Sequence, residues 1–219
     1  SVFLLMGPSL SKLFIPVLAM GIVILASNEL VQHPVQGALF GEDLSLLLTW
    51  GAFTYPIAFL VTDTTNRIFG VGPARRVVAV GFVLGVGLTI VAALVIASGV
   101  SRATEISIWK ALFNDPEALA MLRTAVASGS AFLVAQLLDI KVFDLLRENA
   151  WWKAPTASSL LGSAIDTGIF FSLAFAGTGL PWVTWAAGDF CAKILMIALL
   201  LYPFRAIVSF YPQSLRSVS

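Results

Sequence analysis

Apolar residues gather along the chain into six runs separated by short polar links, near residues 10–31, 44–63, 77–99, 118–139, 158–177 and 183–209. Each run is close to the roughly 20 mostly apolar residues that a helix needs to cross about 30 Å of hydrocarbon. The fifth run is the shortest and most polar, and the sixth is long enough to tilt or to continue past the bilayer. The pattern therefore predicts an all-α integral membrane protein. Six transmembrane helices form one bundle, and residues 1–219 make a single domain. No soluble domain, low-complexity tract or linker interrupts the runs.

Composition agrees and removes several classes of function. The chain is 58% hydrophobic and 11% charged, with a mean hydropathy of +0.93, whereas soluble domains carry about 25% charged residues. A net charge of +1 gives no reason to expect nucleic acid as a partner. One cysteine, Cys191, excludes an internal disulfide framework, and one histidine, His33, excludes a multi-histidine metal site. No metal or cofactor is expected. No basic segment followed by a small-residue cleavage site opens the sequence, so the spans themselves are expected to do the targeting.

Basic residues set the orientation, because Lys and Arg collect in cytoplasmic loops. Lys12, Arg67, Arg75, Arg76, Lys141, Arg147, Lys153, Arg205 and Arg216 fall on one side, and only Arg102, Lys110 and Arg123 on the other. Nine against three places both termini in the cytoplasm. Trp151, Trp152, Trp182 and Trp185 lie at span ends, as interfacial belts require. In the outer connection 101–117, Trp109, Leu112 and Phe113 fall at helical spacing and predict a short helix on the membrane surface. Gly81 and Gly85 form a small-xxx-small pattern that allows close helix approach, within the chain or in a homodimer.

Ionisable side chains in hydrocarbon cost several kcal/mol unless they are paired or face a cavity. The inventory is short: Asn28 and Glu29, then Asp63, Asn66 and Arg67, then Gln136 and Asp139, then Asp166 and Thr167, then Asp189 and Lys193. Asp189 and Lys193 are four apart with the acid first, the favourable order for a helical ion pair. Asp63 and Arg67 share that spacing nearer the surface, and Gln136 and Asp139 share one helix face. Asp166 has no basic residue within a turn on its own helix. It needs a partner from another helix, a proton or a ligand. No nucleophile elbow, P-loop, zinc motif or nucleotide-binding glycine loop is present. A membrane-embedded aspartyl enzyme built on Asp139, Asp166 and Asp189 has no motif behind it. A bundle enclosing a few hydrogen-bonding groups is what a carrier of a small, flat, polar solute needs.

At these residues the sequence resembles a known family. "ASNELVQHPV", "TYPIAFLVTDTTNRIFG" with "ARRVVAVGF" after it, "VAQLLDIKVFDLLR" and "WWKAPTASSLLGSAIDTGIFFSLAFAG" occur in the order of the queuosine-precursor transporter family, also called the vitamin uptake transporter family. The resemblance runs from span one through span five and is weaker in span six. It implies a multi-pass protein of the bacterial inner membrane, not an enzyme. Its partner would be a deazapurine, 7-cyano-7-deazaguanine or 7-aminomethyl-7-deazaguanine, imported for making queuosine in tRNA.

Under that resemblance a carboxylate clips the two donors of the guanine edge, and amides serve its acceptor. Asp166 is the first choice for the clip and Asp189 its rival, with Thr167 beside them. Asn28 and Gln136 are the amide partners and Phe170 the stacking wall. Asp63 with Arg67, Asp139 beside Lys141, and Lys193 are assigned to gating or coupling, against the simpler reading of helix capping and positive-inside charge. No ATP-binding motif occurs in the chain. Proton coupling, facilitated diffusion and a borrowed ATPase, as in the substrate-binding subunits of energy-coupling-factor transporters, all stay open.

Overall fold

The computed structural model describes residues 10–30, 33–39, 41–104 and 107–211. They form α1 (Leu10–Leu30), a small hairpin of β1 (Ala38–Leu39) and β2 (Glu42–Asp43), α2 (Gly51–Thr54), α3 (Pro56–Phe69), α4 (Val71–Thr104), α5 (Ile108–Asn114), α6 (Pro116–Leu146), α7 (Lys153–Phe175) and α8 (Trp182–Ser209). Four stretches among them are long and apolar enough to cross a membrane: Val71–Leu88 in α4, Ala118–Leu146 in α6, and the whole of α7 and α8. Lys12–Ser27 and Leu94–Ala103 are shorter apolar helical stretches. The chain is a helical, multi-pass membrane protein.

The second apolar run departs most from the sequence reading. A single helix was expected over 44–63, but residues 44–46 form a 3-10 turn capped by Asp43. The exposed Asp43 carboxylate accepts the Ser45 N–H at 2.9 Å, which holds its pKa below the usual value. The helix that follows is divided at Tyr55. Pro56 has no N–H to return to the carbonyl one turn back, so α2 stops and α3 begins with proline in its first turn. α3 then runs past the expected end to Phe69 and is closed by Gly70, whose φ of +89° favours glycine.

That shift places α3 at the centre of the bundle, packed against α1, α4, α6, α7 and α8. Its polar residues Thr62, Asp63, Thr64, Thr65 and Asn66 are consequently all buried. Around them Met20 and Ile24 of α1, Val77 and Val78 of α4, and Phe132 and Ile140 of α6 make the main apolar core. Close approach depends on small residues. A Cβ on Gly81 would lie 2.8 Å from both Met20 and Ile24, and one on Gly162 would lie 2.7 Å from the Phe59 ring. The Gly81/Gly85 face thus closes on α1 of the same chain.

One end of the bundle gathers the basic residues. There Phe143, Ala154, Phe204 and Val208 cluster at the ends of α6 and α8 and the start of α7. Arg67 donates to the Arg147 carbonyl at 2.7 Å, and Arg205 lies 4.8 Å from the Trp151 ring centroid. Arg216 lies outside the described residues. At the far end Arg123 donates to the Leu173 and Ala176 carbonyls, both at 2.7 Å, and so caps the last turn of α7. The expected short helix of the 101–117 connection is α5: Ala111 and Leu112 pack on Ala97 and Ala118, while Trp109 and Phe113 stay exposed.

Candidate functional site: a buried triad of two carboxylates and one ammonium

The break before Pro56 has a chemical consequence. It directs the Tyr55 hydroxyl to Asp166 on α7, to which it donates at 3.1 Å. Lys193 of α8 donates to the other oxygen of Asp166 at 2.8 Å. One turn before it on α8, Asp189 approaches the same ammonium at 2.6 Å. Thr167 closes the ring by donating to Asp189 Oδ2 at 2.7 Å, and its oxygen lies 3.0 Å from Lys193 Nζ. The Tyr55 ring faces that ammonium, 5.2 Å from Nζ to centroid, so Lys193 is held by two carboxylates, a hydroxyl and an aromatic face.

Two carboxylates share one ammonium, leaving one negative charge in excess. Both oxygens of Asp166 are engaged. Among the described residues Asp189 is bonded through Oδ2 alone, and its side chain is 15% accessible against 7% for Asp166.

The register of α6 on α7 is set at Gly162, where an added Cβ would meet the Ala135 carbonyl at 3.4 Å. Gln136, next to Ala135 in the chain, turns its side chain to α3. Its Oε1 accepts from Thr62 at 2.6 Å, whereas its buried Nε2 has no partner. Farther toward the basic end, Ser158 and Ser159 donate to the two oxygens of Asp63 at 3.2 and 3.0 Å. Asp139 of α6, fully buried, is bracketed together with Asp63 by the Thr62–Gln136 and Asn66–Ile140 bonds that join α3 to α6. Ser159, Ser163 and Asp166 follow one another at helical spacing, so one face of α7 joins this second cluster to the triad.

Several expected pairs are drawn differently. Asp63 and Arg67 take separate partners, the serines of α7 and the Arg147 carbonyl. Lys141 is exposed while Asp139 is buried, so these neighbours do not share an environment. Arg147 donates to the Asn66 carbonyl at 2.7 Å and to its side-chain oxygen at 2.9 Å, and Asn66 donates to the Ile140 carbonyl at 3.1 Å. These bonds clamp α3 to α6. Phe170 packs edge-on with Phe171 and Phe175, and Phe175 with Trp185. Asn28 is in the last turn of α1, and its side chain lies outside the described residues. Tyr55, Ser158 and Ser159 were not singled out by sequence, and Arg147 only as a basic residue of the cytoplasmic side. The serines could have been found, because Ser159 and Ser163 precede Asp166 on one helical stripe.

A family model described as "Putative vitamin uptake transporter" matches residues 49–208, which contain the triad and the second carboxylate cluster. The chain belongs to this family. Among members, the "Queuosine precursor transporter" of Escherichia coli is 36% identical over 85% of this chain and 81% of its own length. The "Probable queuosine precursor transporter" of Haemophilus influenzae is 34% identical over the same shares. No solved structure matches. The queuosine-precursor resemblance read from the sequence is thus confirmed at family level, and the chain is a transporter of the vitamin uptake family.

Proposed function

We propose that this chain imports queuosine precursors, 7-cyano-7-deazaguanine and 7-aminomethyl-7-deazaguanine, across the bacterial inner membrane, and that it is a carrier rather than an enzyme. The names of its relatives support the substrate class. In this reading six segments cross the membrane with both termini in the cytoplasm. α1, 21 residues long, reaches about 31 Å at ~1.5 Å per residue, and α2 with α3 makes the second crossing. The basic end is the cytoplasmic one, in keeping with the positive-inside rule.

The observation that carries the binding mode is the excess carboxylate of the triad. Asp166, the first choice from sequence, is engaged on both oxygens by Tyr55 and Lys193, which favours Asp189 as the clip. Asp189 Oδ1 accepts the base's N1–H and 2-amino group, while its Oδ2 stays with Lys193 and Thr167. Gln136 Nε2, buried without a partner, serves the base's oxygen. Phe170 and its aromatic neighbours offer a ring face, where stacking contributes about 1–3 kcal/mol per base.

Calorimetric titration of the purified chain with 7-cyano-7-deazaguanine tests this reading. A bond to a charged group contributes about 1.5–3 kcal/mol, so Asp189→Asn weakens binding roughly 10- to 150-fold. An analogue lacking the 2-amino group binds correspondingly less. Equal affinity for the wild type and Asp189→Asn would remove the clip, and absence of binding by the wild type would remove the substrate.

A further inference from the structure

Asp63 and Asp139 form a second buried carboxylate pair that the binding mode does not use. Asp63 is 2% exposed and Asp139 is fully buried. The hydroxyls of Ser158 and Ser159 both direct their protons to Asp63, so each of its oxygens accepts one hydrogen bond. Among the described residues neither oxygen of Asp139 has a hydrogen-bond partner. A cavity of about 20 Å³ borders Asp63 and Ser159 between α3, α7 and α8, room for about one water.

The charged groups around the pair do not neutralise it. On α3, Arg67 lies one turn nearer the basic end and holds the Arg147 carbonyl. Just past the end of α6, Arg147 holds Asn66 and Asp144. From α7 the facing groups are hydroxyls. On α8, Lys193 is taken by Asp166 and Asp189, and the side chains nearest the cavity are Ile197, Leu200, Leu201 and Phe204. The basic residues at the starts of α1 and α4, Lys12, Arg75 and Arg76, are exposed. Among the described residues no ion pair includes Asp63 or Asp139.

Two adjacent carboxylates so deeply buried cannot both stay ionised without a cation. The pattern of donors says which one holds it. Asp63 is solvated as an anion by two hydroxyls, and Asp139, which receives no donor, is suited to be one. We propose that Asp63 and Asp139 share a single proton, carried on Asp139 and accepted by Asp63, and that this proton enters the cell with each base molecule. Deprotonation breaks the Asp139 O–H bond and passes the proton to cytoplasmic water. Both carboxylates are then charged, and their repulsion separates α3 and α6 at the cytoplasmic end, where the Arg67, Asn66 and Arg147 bonds tie them. Reprotonation restores the packing. The triad binds the base and this pair couples its movement, an inference that rests on the import reading.

The test uses the full chain in proteoliposomes holding a pH indicator, with radiolabelled 7-cyano-7-deazaguanine. One proton per base supports an about tenfold accumulation for a gradient of one pH unit, since a factor of ten is about 1.4 kcal/mol. With the outside acidic, the wild type accumulates the base about tenfold, and adding base outside acidifies the lumen. Asp139→Asn has no proton to release, so it still exchanges labelled for unlabelled base, but its accumulation ratio falls to about one. Asp63→Asn, which lacks the acceptor, behaves alike and serves if Asp139→Asn does not fold. The wild-type lumenal acidification needs neither variant. Exchange without pH-driven accumulation, accumulation driven by a sodium gradient instead, or full accumulation by Asp139→Asn would each overturn the inference and leave import standing. A wild type that exchanges no base would contradict the import reading itself, and the coupling would fall with it.

Discussion

Replacing Lys193 with methionine tests whether the triad is a closed electrostatic unit. Met keeps the length and apolar stem of lysine but removes the charge that Asp166 and Asp189 share at 2.8 and 2.6 Å. Lys193 and Asp166 are 5% and 7% accessible, so water cannot compensate for the lost ammonium. Breaking a buried pair from one side costs about 3–5 kcal/mol, because an uncompensated charge remains. For a chain of this size each kcal/mol moves Tm by about 2–4 °C, so the loss corresponds to roughly 6–20 °C. Thermal unfolding of the detergent-solubilised protein, followed by tryptophan fluorescence, reads that shift. Lys193→Met/Asp189→Asn leaves one carboxylate, Asp166, still bonded to Tyr55, and is expected to recover at least half of it. Strong non-additivity is the signature of groups acting as one network. Lys193→Met with a Tm within about 2 °C of wild type, less than 1 kcal/mol, would refute the reasoning.

Three further substitutions probe the packing around the site. Thr62→Val leaves the Gln136 oxygen buried without its 2.6 Å donor and costs about 1–3 kcal/mol. Thr62→Val/Gln136→Leu, which removes both polar partners, regains most of that in the same thermal assay. Gly162→Ala sets a methyl 2.7 Å from the Phe59 ring and costs about 1–3 kcal/mol by overpacking, and Phe59→Leu in the same chain relieves it. Arg147→Lys keeps the charge but loses the rigid guanidinium whose Nη2 reaches both Asn66 oxygens while Nε holds Asp144. It costs about 1–2 kcal/mol and speeds limited proteolysis of the α6–α7 link.

The sequence carried the outline because hydrocarbon imposes one strong rule, continuous apolar helix, and the runs obeyed it. α1, α4, α6, α7 and α8 each contain an expected run, with ends that extend or shift by a few residues. The second run misled for a local reason. Hydropathy does not register that Pro56 divides a helix, nor that the hairpin and 3-10 turn at 38–46 use backbone bonds of their own. The Asp189–Lys193 pair was legible because both residues share a helix. The Asp166–Lys193, Tyr55–Asp166 and Asp63–Ser159 bonds were not, since each joins residues far apart in the chain. Spacing could show only that Asp166 needed a partner from elsewhere. The glycine pattern announced a close contact without naming its other side, which proved to be α1.

Import of queuosine precursors is tested most directly in cells that neither synthesise deazaguanines nor retain an importer of their own. These cells would express this chain and receive nanomolar 7-cyano-7-deazaguanine, and queuosine in their tRNA would be read by retarded migration in boronate gels. The account predicts queuosine with the wild-type chain and little or none with Asp189→Asn at equal membrane expression. No queuosine from either the cyano or the aminomethyl base, with the wild-type protein demonstrably in the membrane, would contradict it.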